Sequence, residues 1–98
     1  MTEAVVLLSI CIPTFNRGEY LRRTLQSIVE QEAFLQTHEI EIVVSDNCST
    51  DTTQEVGTEY ANAYPGKVFY HRNQSNIGAD INFETALTKG RGLFLKLH

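Results

Sequence analysis

The sequence predicts an α/β fold of three layers: a parallel sheet between helices, with elements in the order β-α-β-α-β-α-β. Two observations predict it. Four short runs are rich in β-branched and apolar residues, and the three stretches between them repeat apolar residues at helical spacing. Near-continuous apolar runs suit strands covered on both faces. Their alternation with helices gives right-handed crossovers and a parallel sheet.

The elements follow in order. Leu7 to Ile12 is the first strand, ended by Pro13. Leu21, Leu25, Ile28 and Val29 then fall on one face of a helix from about Glu19 to Gln31. Ile40 to Ser45 is the second strand, ended by Asp46-Asn47. Val56, Tyr60, Ala63 and Tyr64 mark the second helix, with capping-box spacing at Thr52/Glu55 and Asp51/Gln54 and a stop at Pro65-Gly66. Val68 to His71 is a short third strand. Ala79, Phe83, Ala86 and Leu87 give the third helix, ended by Gly90 or Gly92, and Leu93 to Leu97 is the fourth strand.

At 98 residues the chain has room for one domain, residues 1–98, with 42% hydrophobic and 20% charged residues in ordinary globular proportion. Its longest apolar stretch, Ala4 to Ile12, contains Ser9 and is shorter than the roughly 18–20 residues that span a bilayer. Met1-Thr2-Glu3 brings no basic segment before an apolar run, so no signal peptide is expected. A net charge of -4 with 8 Lys+Arg leaves no basic stripe, which argues against nucleic acid. Cys11 and Cys48 make no disulfide framework, and no C-x-x-C or histidine cluster suggests zinc; a reducing, cytoplasmic setting is expected. Cys11, mid-strand, reads as core, and no histidine is spaced to activate Cys48.

Ligands of open α/β sheets bind beyond the carboxyl ends of the strands. Three loops lie there: Pro13 to Gly18, Asp46 to Asp51, and Arg72 to Gly78. The first carries neither G-x-G-x-x-G nor a P-loop pattern, so the usual dinucleotide and NTPase readings fail. It offers a rigid Pro13, the Thr14 hydroxyl and the Arg17 cation. Asp46 can accept from a base imide or ribose hydroxyl, and Asn47 can also donate to a base carbonyl. Plainer readings stand beside these. Pro13, Asn16 and Gly18 are common turn residues, Asp46-Asn47 can simply open a turn, Asp51 and Thr52 suit helix caps, and Arg17 suits solvent.

The three segments Leu8-Ser-Ile-Cys-Ile-Pro-Thr-Phe-Asn-Arg17, Glu39-Ile-Glu-Ile-Val-Val-Ser-Asp-Asn-Cys-Ser-Thr-Asp51 and Arg72-Asn-Gln-Ser-Asn-Ile-Gly78, in that order, resemble the start of a family 2 glycosyltransferase. The resemblance covers essentially the whole chain. It implies a Rossmann-like sheet forming the N-terminal half of a GT-A fold. It implies an inverting enzyme that moves a sugar from a nucleotide-diphosphate donor to a saccharide or lipid-linked acceptor of a bacterial surface polysaccharide or glycolipid. Carried over by motif, Pro13, Thr14, Phe15 and Asn16 frame the nucleoside, Arg17 lies near base or phosphates, and Asp46 and Asn47 touch base and ribose. Asn76 and Gly78 lie along the donor path, with Asp80 or Asn82 nearby. The second acidic position of the family is commonly Asp and is Asn47 here, which leaves the base open.

In the family a metal-binding D-x-D follows the fourth strand, and here the chain stops at His98. The expectation is therefore a chain truncated before its metal site and inactive alone. A divalent metal, Mg or Mn, is expected for the full-length enzyme, with its ligands outside this chain. The full-length protein is expected in the cytoplasm, extending to the cytoplasmic face of the membrane. A non-catalytic nucleotide-binding or interaction module complete at this length is the alternative. A nucleotidyltransferase would want a Gly-rich first loop, and a receiver domain an acidic pair there. The apolar strand Leu93 to Leu97 is expected to leave an open edge on which a homodimer forms.

Overall fold

A computed structural model describes residues 5–98. The reading of Met1-Thr2-Glu3 lies outside the described residues. The elements are β1 (Leu8–Thr14), α1 (Gly18–Val29), α2 (Glu32–Leu35), β2 (Ile40–Asp46), α3 (Thr53–Ala63), β3 (Val68–Arg72), α4 (Ala79–Lys89) and β4 (Phe94–Leu97). The four strands form one parallel sheet in the order β3-β2-β1-β4. The predicted α/β fold is the observed one.

The sheet is wound both ways from β1. Two crossovers step outward through β2 to β3, and the third returns past β1 to place β4 on its far side. One sheet face carries Ile10, Ile12, Ile42, Val44 and Val68, packed against Leu21, Leu25 and Ile28 of α1, Phe34 of α2, and Val56 and Tyr60 of α3. The other face carries Ser9, Cys11, Glu41, Val43 and Ser45, all buried, and α4 packs there. Burial pushes the Cys11 thiol up, as does the nearby Glu41.

Pro13 lies inside β1, one residue past the end expected for that strand. Residues of β1 alternate in the strand they bond. Leu8 N and Thr14 O bond the β2 side, and Cys11 O accepts from His98 on the β4 side. Pro13 faces the β4 side, and that pairing stops at Cys11 with Leu97. The missing N–H therefore breaks no ladder bond.

Other boundaries moved for local reasons. The helix expected from Glu19 to Gln31 ends at Val29, and a separate single turn, α2, drops Phe34 into the core. Neither capping box forms. Thr52 is the N-cap of α3 but makes no side-chain cap bond; Asp51 Oδ1 accepts from Thr53 N at 2.9 Å instead. The same carboxylate accepts from Gly18 N at 3.1 Å, so Asp51 serves the first turns of both α3 and α1. The Thr53 hydroxyl bond, chief among these contacts, holds the Asp51 carboxyl below its usual range. Gly18 fits there because a Cβ would lie 2.1 Å from Thr52 Oγ1.

Only part of the apolar face expected for α4 packs: Ala86 is buried and Leu87 half-buried, but Ala79 and Phe83 are exposed and Asn82 turns inward. The sheet face beneath is polar at Ser45, whose hydroxyl donates to Asn82 Oδ1 at 2.9 Å and whose carbonyl accepts from Asn82 Nδ2 at 3.1 Å. Those bonds select the helix rotation. β4 begins at Phe94, not Leu93, and every one of its residues is exposed, so it is not covered on both faces. Among the described residues no helix is long and apolar enough to cross a membrane.

Candidate functional site

The loops at the carboxyl end of the sheet are tied to one another. The ladder between β1 and β2 runs on past the strands, with Asn47 N donating to Thr14 O at 2.9 Å. Asn16 N donates to Ser49 Oγ at 2.8 Å, and Thr50 N donates back to Asn16 Oδ1 at 2.8 Å. Arg17 N donates to Thr53 Oγ1 at 3.1 Å. Two residues without glycine's freedom adopt left-handed backbone here, Asn16 at φ 49° and Cys48 at φ 64°. Asn takes that region more readily than most. The reciprocal bonds of the Asn16 side chain and backbone hold it there.

Asp46 is the post around which the second loop turns. It is fully buried. Oδ1 accepts from Ser49 N at 3.0 Å and from the Ser49 hydroxyl, and Oδ2 accepts from the Tyr70 hydroxyl. Burial first, then the bond to Asp46, pushes the Tyr70 hydroxyl well above its usual range, so it stays a donor. Arg72 donates to Ser49 O at 3.1 Å, and Asn73 N donates to Asp46 O at 2.8 Å, joining the third loop to the second.

Beside these loops lies a cleft of about 620 Å³. Its walls come from the end of β1, the start of α1, Asn47, Asn76, the first turns of α4 and His98 after β4. This is the crevice where the winding reverses between β1 and β4, the place where open α/β sheets bind ligands. Of the residues carried over by motif, Pro13, Thr14, Phe15, Arg17, Asn47 and Asn76 border it, as do Asp80 and Asn82. Asn16, Asp46 and Gly78 do not. Asn16 staples the first two loops, Asp46 is closed off behind Ser49 and Tyr70, and Gly78 caps α4 at φ 89°. In this conformation Asp46 positions the loop and offers no oxygen to the cleft.

The motifs passed over Tyr20, Phe83 and His98, which also border the cleft. Tyr20 sits off the Leu21/Leu25/Ile28 stripe next to the first loop, which was a usable signal; Phe83 was absorbed into an assumed apolar face. The result is a cleft with the exposed aromatic rings of Phe15, Tyr20 and Phe83, hydrogen-bonding groups at Thr14, Asn47 and Asn76, and one cation and one anion at Arg17 and Asp80. Rings can take a flat heterocycle, hydroxyls and amides its polar edge or a ribose, and a guanidinium a phosphate. Among the described residues no group of three His, Cys, Asp or Glu comes together to hold a metal ion.

Residues 9–95 match glycosyl transferase family 2. Abequosyltransferase RfbV of Salmonella typhimurium is 45% identical over 87 residues, which cover 89% of this chain and 26% of that protein. A validoxylamine A glucosyltransferase of Streptomyces hygroscopicus is 48% identical over 59 residues, 60% of this chain and 14% of that one. Among solved structures, S. aureus TarS 1-349 in complex with UDP superposes with a TM-score of 0.81 at 28% identity, over 95% of this chain and 27% of that one. The mannosyltransferase PcManGT of Pyrobaculum calidifontis, in complex with GDP-Man and Mn2+, shares the fold with a TM-score of 0.72 at 24% identity, over 89% of this chain and 25% of that one. The chain thus spans about a quarter of the length of RfbV.

Proposed function

The chain belongs to glycosyl transferase family 2, and from that premise we propose that its cleft holds the nucleotide part of a nucleotide-diphosphate sugar. The observation that carries this reading is the cleft itself, seated where the winding reverses and walled by Thr14, Asn47 and Asn76 beside exposed aromatic rings. Pro13 to Asn16 frame the nucleoside, with Asn16 acting through the loop it staples. Arg17 meets the phosphates or base. Asn47 and Asn76 meet polar atoms of base or ribose, Asp46 holds Asn47 in place, and Gly78 sets the start of α4. The longer enzyme would pass the sugar, with inversion, to a saccharide or lipid-linked acceptor of a surface polysaccharide or glycolipid. The 45% identity to an abequosyltransferase supports the transfer of a sugar. We place this work in the cytoplasm, extending to the cytoplasmic face of the membrane.

A divalent metal, magnesium or manganese, belongs to the expected chemistry, but the described residues build no cage for it. The donor contacts proposed here run through side chains alone. With no metal to offset the diphosphate charge, binding to this chain is expected at millimolar strength. Titration with UDP, CDP and GDP watched by amide NMR should move the signals of Phe15, Asn47 and Ile77. Signals that stay fixed at millimolar nucleotide would sink the donor-site reading.

We also propose that a second copy adds to the outer edge of β4. That edge has no strand partner among the described residues, and Phe94, Leu95 and Leu97 are exposed along it. Open apolar edges recruit further strands. Sedimentation should show a dimer growing with concentration; a clean monomer at high concentration rules it out.

A further inference from the structure

We propose that Asn47 decides whether the cleft wall offers a hydrogen-bond donor or an acceptor at Asn76. The consequence for nucleotide binding rests on the donor-site reading above; the switch itself is a property of the free chain. Two backbone amides fix the orientation of both side chains, because an N–H can only donate. Ile77 N donates to Asn47 Oδ1 at 2.9 Å, and Gly78 N donates to Asn76 Oδ1 at 2.9 Å. Asn73 Nδ2 adds a second bond to Asn47 Oδ1 at 3.1 Å. With its oxygen so used, Asn47 turns its amide nitrogen to Asn76 and donates to Oδ1 at 2.9 Å. The Asn76 carbonyl then has both lone-pair directions taken. Its NH2 has no partner among the described residues. That donor is the one side-chain group Asn76 leaves for a ligand, and Asn76 is exposed at the border of the cleft. A ligand group meeting it must accept: a base carbonyl, a ribose oxygen or a phosphate oxygen.

An aspartate at position 47 reverses the arrangement. It keeps the bonds from Ile77 and Asn73, which ask only for an acceptor. Its second oxygen, however, would face Asn76 Oδ1, acceptor against acceptor. Asn47 is only 3% exposed, so a carboxylate there cannot swing into water. Relief comes from turning the Asn76 amide over. That turn gives up the Gly78 bond and presents a carbonyl oxygen to the cleft. The choice between Asn and Asp at this position is therefore also read at Asn76, and Asn47 is in this respect a positioning residue for Asn76.

The test compares amide NMR spectra of the wild type, Asn47→Asp, Asn76→Ala and the double variant, without nucleotide and with whichever of UDP, CDP and GDP binds best. In ligand-free Asn47→Asp, the Gly78 amide should move to a less hydrogen-bonded position and the Asn76 side-chain NH2 pair should shift. The Ile77 amide, still bonded, reports an intact loop. Affinity should fall about tenfold in Asn47→Asp, the worth of one hydrogen bond, and similarly in Asn76→Ala. The double variant should lose less than the sum of the two single losses, because part of what Asn47→Asp costs is already gone in Asn76→Ala. Unmoved Gly78 and Asn76 signals in Asn47→Asp overturn the switch, whatever the nucleotides do. Losses that add in the double variant overturn the claim that Asn47 acts through Asn76. A wild type that binds none of the nucleotides defeats the donor-site reading instead, and the ligand-free spectra still decide the switch.

Discussion

Glu41→Ala is expected to lower stability by about 3 kcal/mol, from buried donors left without their acceptor and a cavity beneath a turn. That is a large share of the roughly 5–15 kcal/mol that holds a small domain together. Glu41 is a carboxylate inside a central strand, and its side chain is 2% exposed. It accepts from Ser9 Oγ at 2.6 Å, Arg91 N at 2.7 Å and Arg91 Nε at 2.9 Å. Ser9 Oγ in turn accepts from Gly92 N at 2.8 Å. One buried anion therefore straps the turn between α4 and β4 onto β1. Alanine leaves the Ser9 hydroxyl and the Arg91 amide without acceptors and opens a cavity under the turn. The ion pair itself adds little, because the Arg91 side chain is 59% exposed and returns to water. Glu41→Gln should cost less, since one oxygen still accepts. Burial opposes ionisation of Glu41, but the bonds from Ser9 and Arg91 outweigh it and hold the carboxyl below its ordinary range. This contribution is thus complete above the ordinary carboxylate pKa, about 4.3, and fades as pH falls through the lower folded-state value. Urea unfolding at neutral and acid pH checks both points. An alanine variant with the wild-type midpoint and slope at neutral pH would show the strap to be idle.

Asp46→Ala is expected to cost about 2–3 kcal/mol and to weaken nucleotide binding more than tenfold. The two effects share one cause. Both carboxylate oxygens are engaged inside the protein, with Ser49 and Tyr70 as donors. Removing them frees the second loop, and with it Ser49, to which Asn16 is tied. Asp46→Asn should fall between. Its oxygen can keep the Ser49 amide, and its NH2 can donate to the Tyr70 oxygen once that hydroxyl rotates. Nucleotide titration of the three proteins watched by amide NMR, with unfolding measured in parallel, separates the possibilities. A variant as stable as the wild type but unable to bind would mean that Asp46 meets the ligand itself, in a conformation other than this one.

The strands of the hydrophobic face were legible because near-continuous apolar runs need cover on both faces: Ile12, Ile42 and Val44 are buried and Ile10 half-buried beneath helices whose own stripes, Leu21 to Ile28 and Val56 to Tyr60, announce them. The loops of the site were legible because turn residues and polar groups cluster after strands, and six of the nine motif positions do border the cleft. What escaped depended on the other face. Nothing local says that Glu41 is sealed beneath a turn fifty residues away, or that Asn82 and not Phe83 faces the sheet. Those outcomes are set by which polar partner the fold brings opposite, Arg91 for one and Ser45 for the other. Asp46 escaped in a subtler way. A carboxylate at a strand end reads as a ligand group until Tyr70, on the neighbouring strand, is seen to occupy it.

The reversal of winding at β1 also has a consequence in time. β1, β2 and β3 meet across single crossovers, each a short chain segment. β4 must come back past all of them, and the bond from Gly92 N to Ser9 Oγ closes 83 residues. Long closures are entropically dearer and slower than short ones. The pairing of β4 is thus the step expected last in assembly and first in local opening. His98, just beyond it, helps line the cleft. The cleft therefore matures late: a chain that has not yet paired β4 already holds the hydrophobic core but only part of the cleft wall.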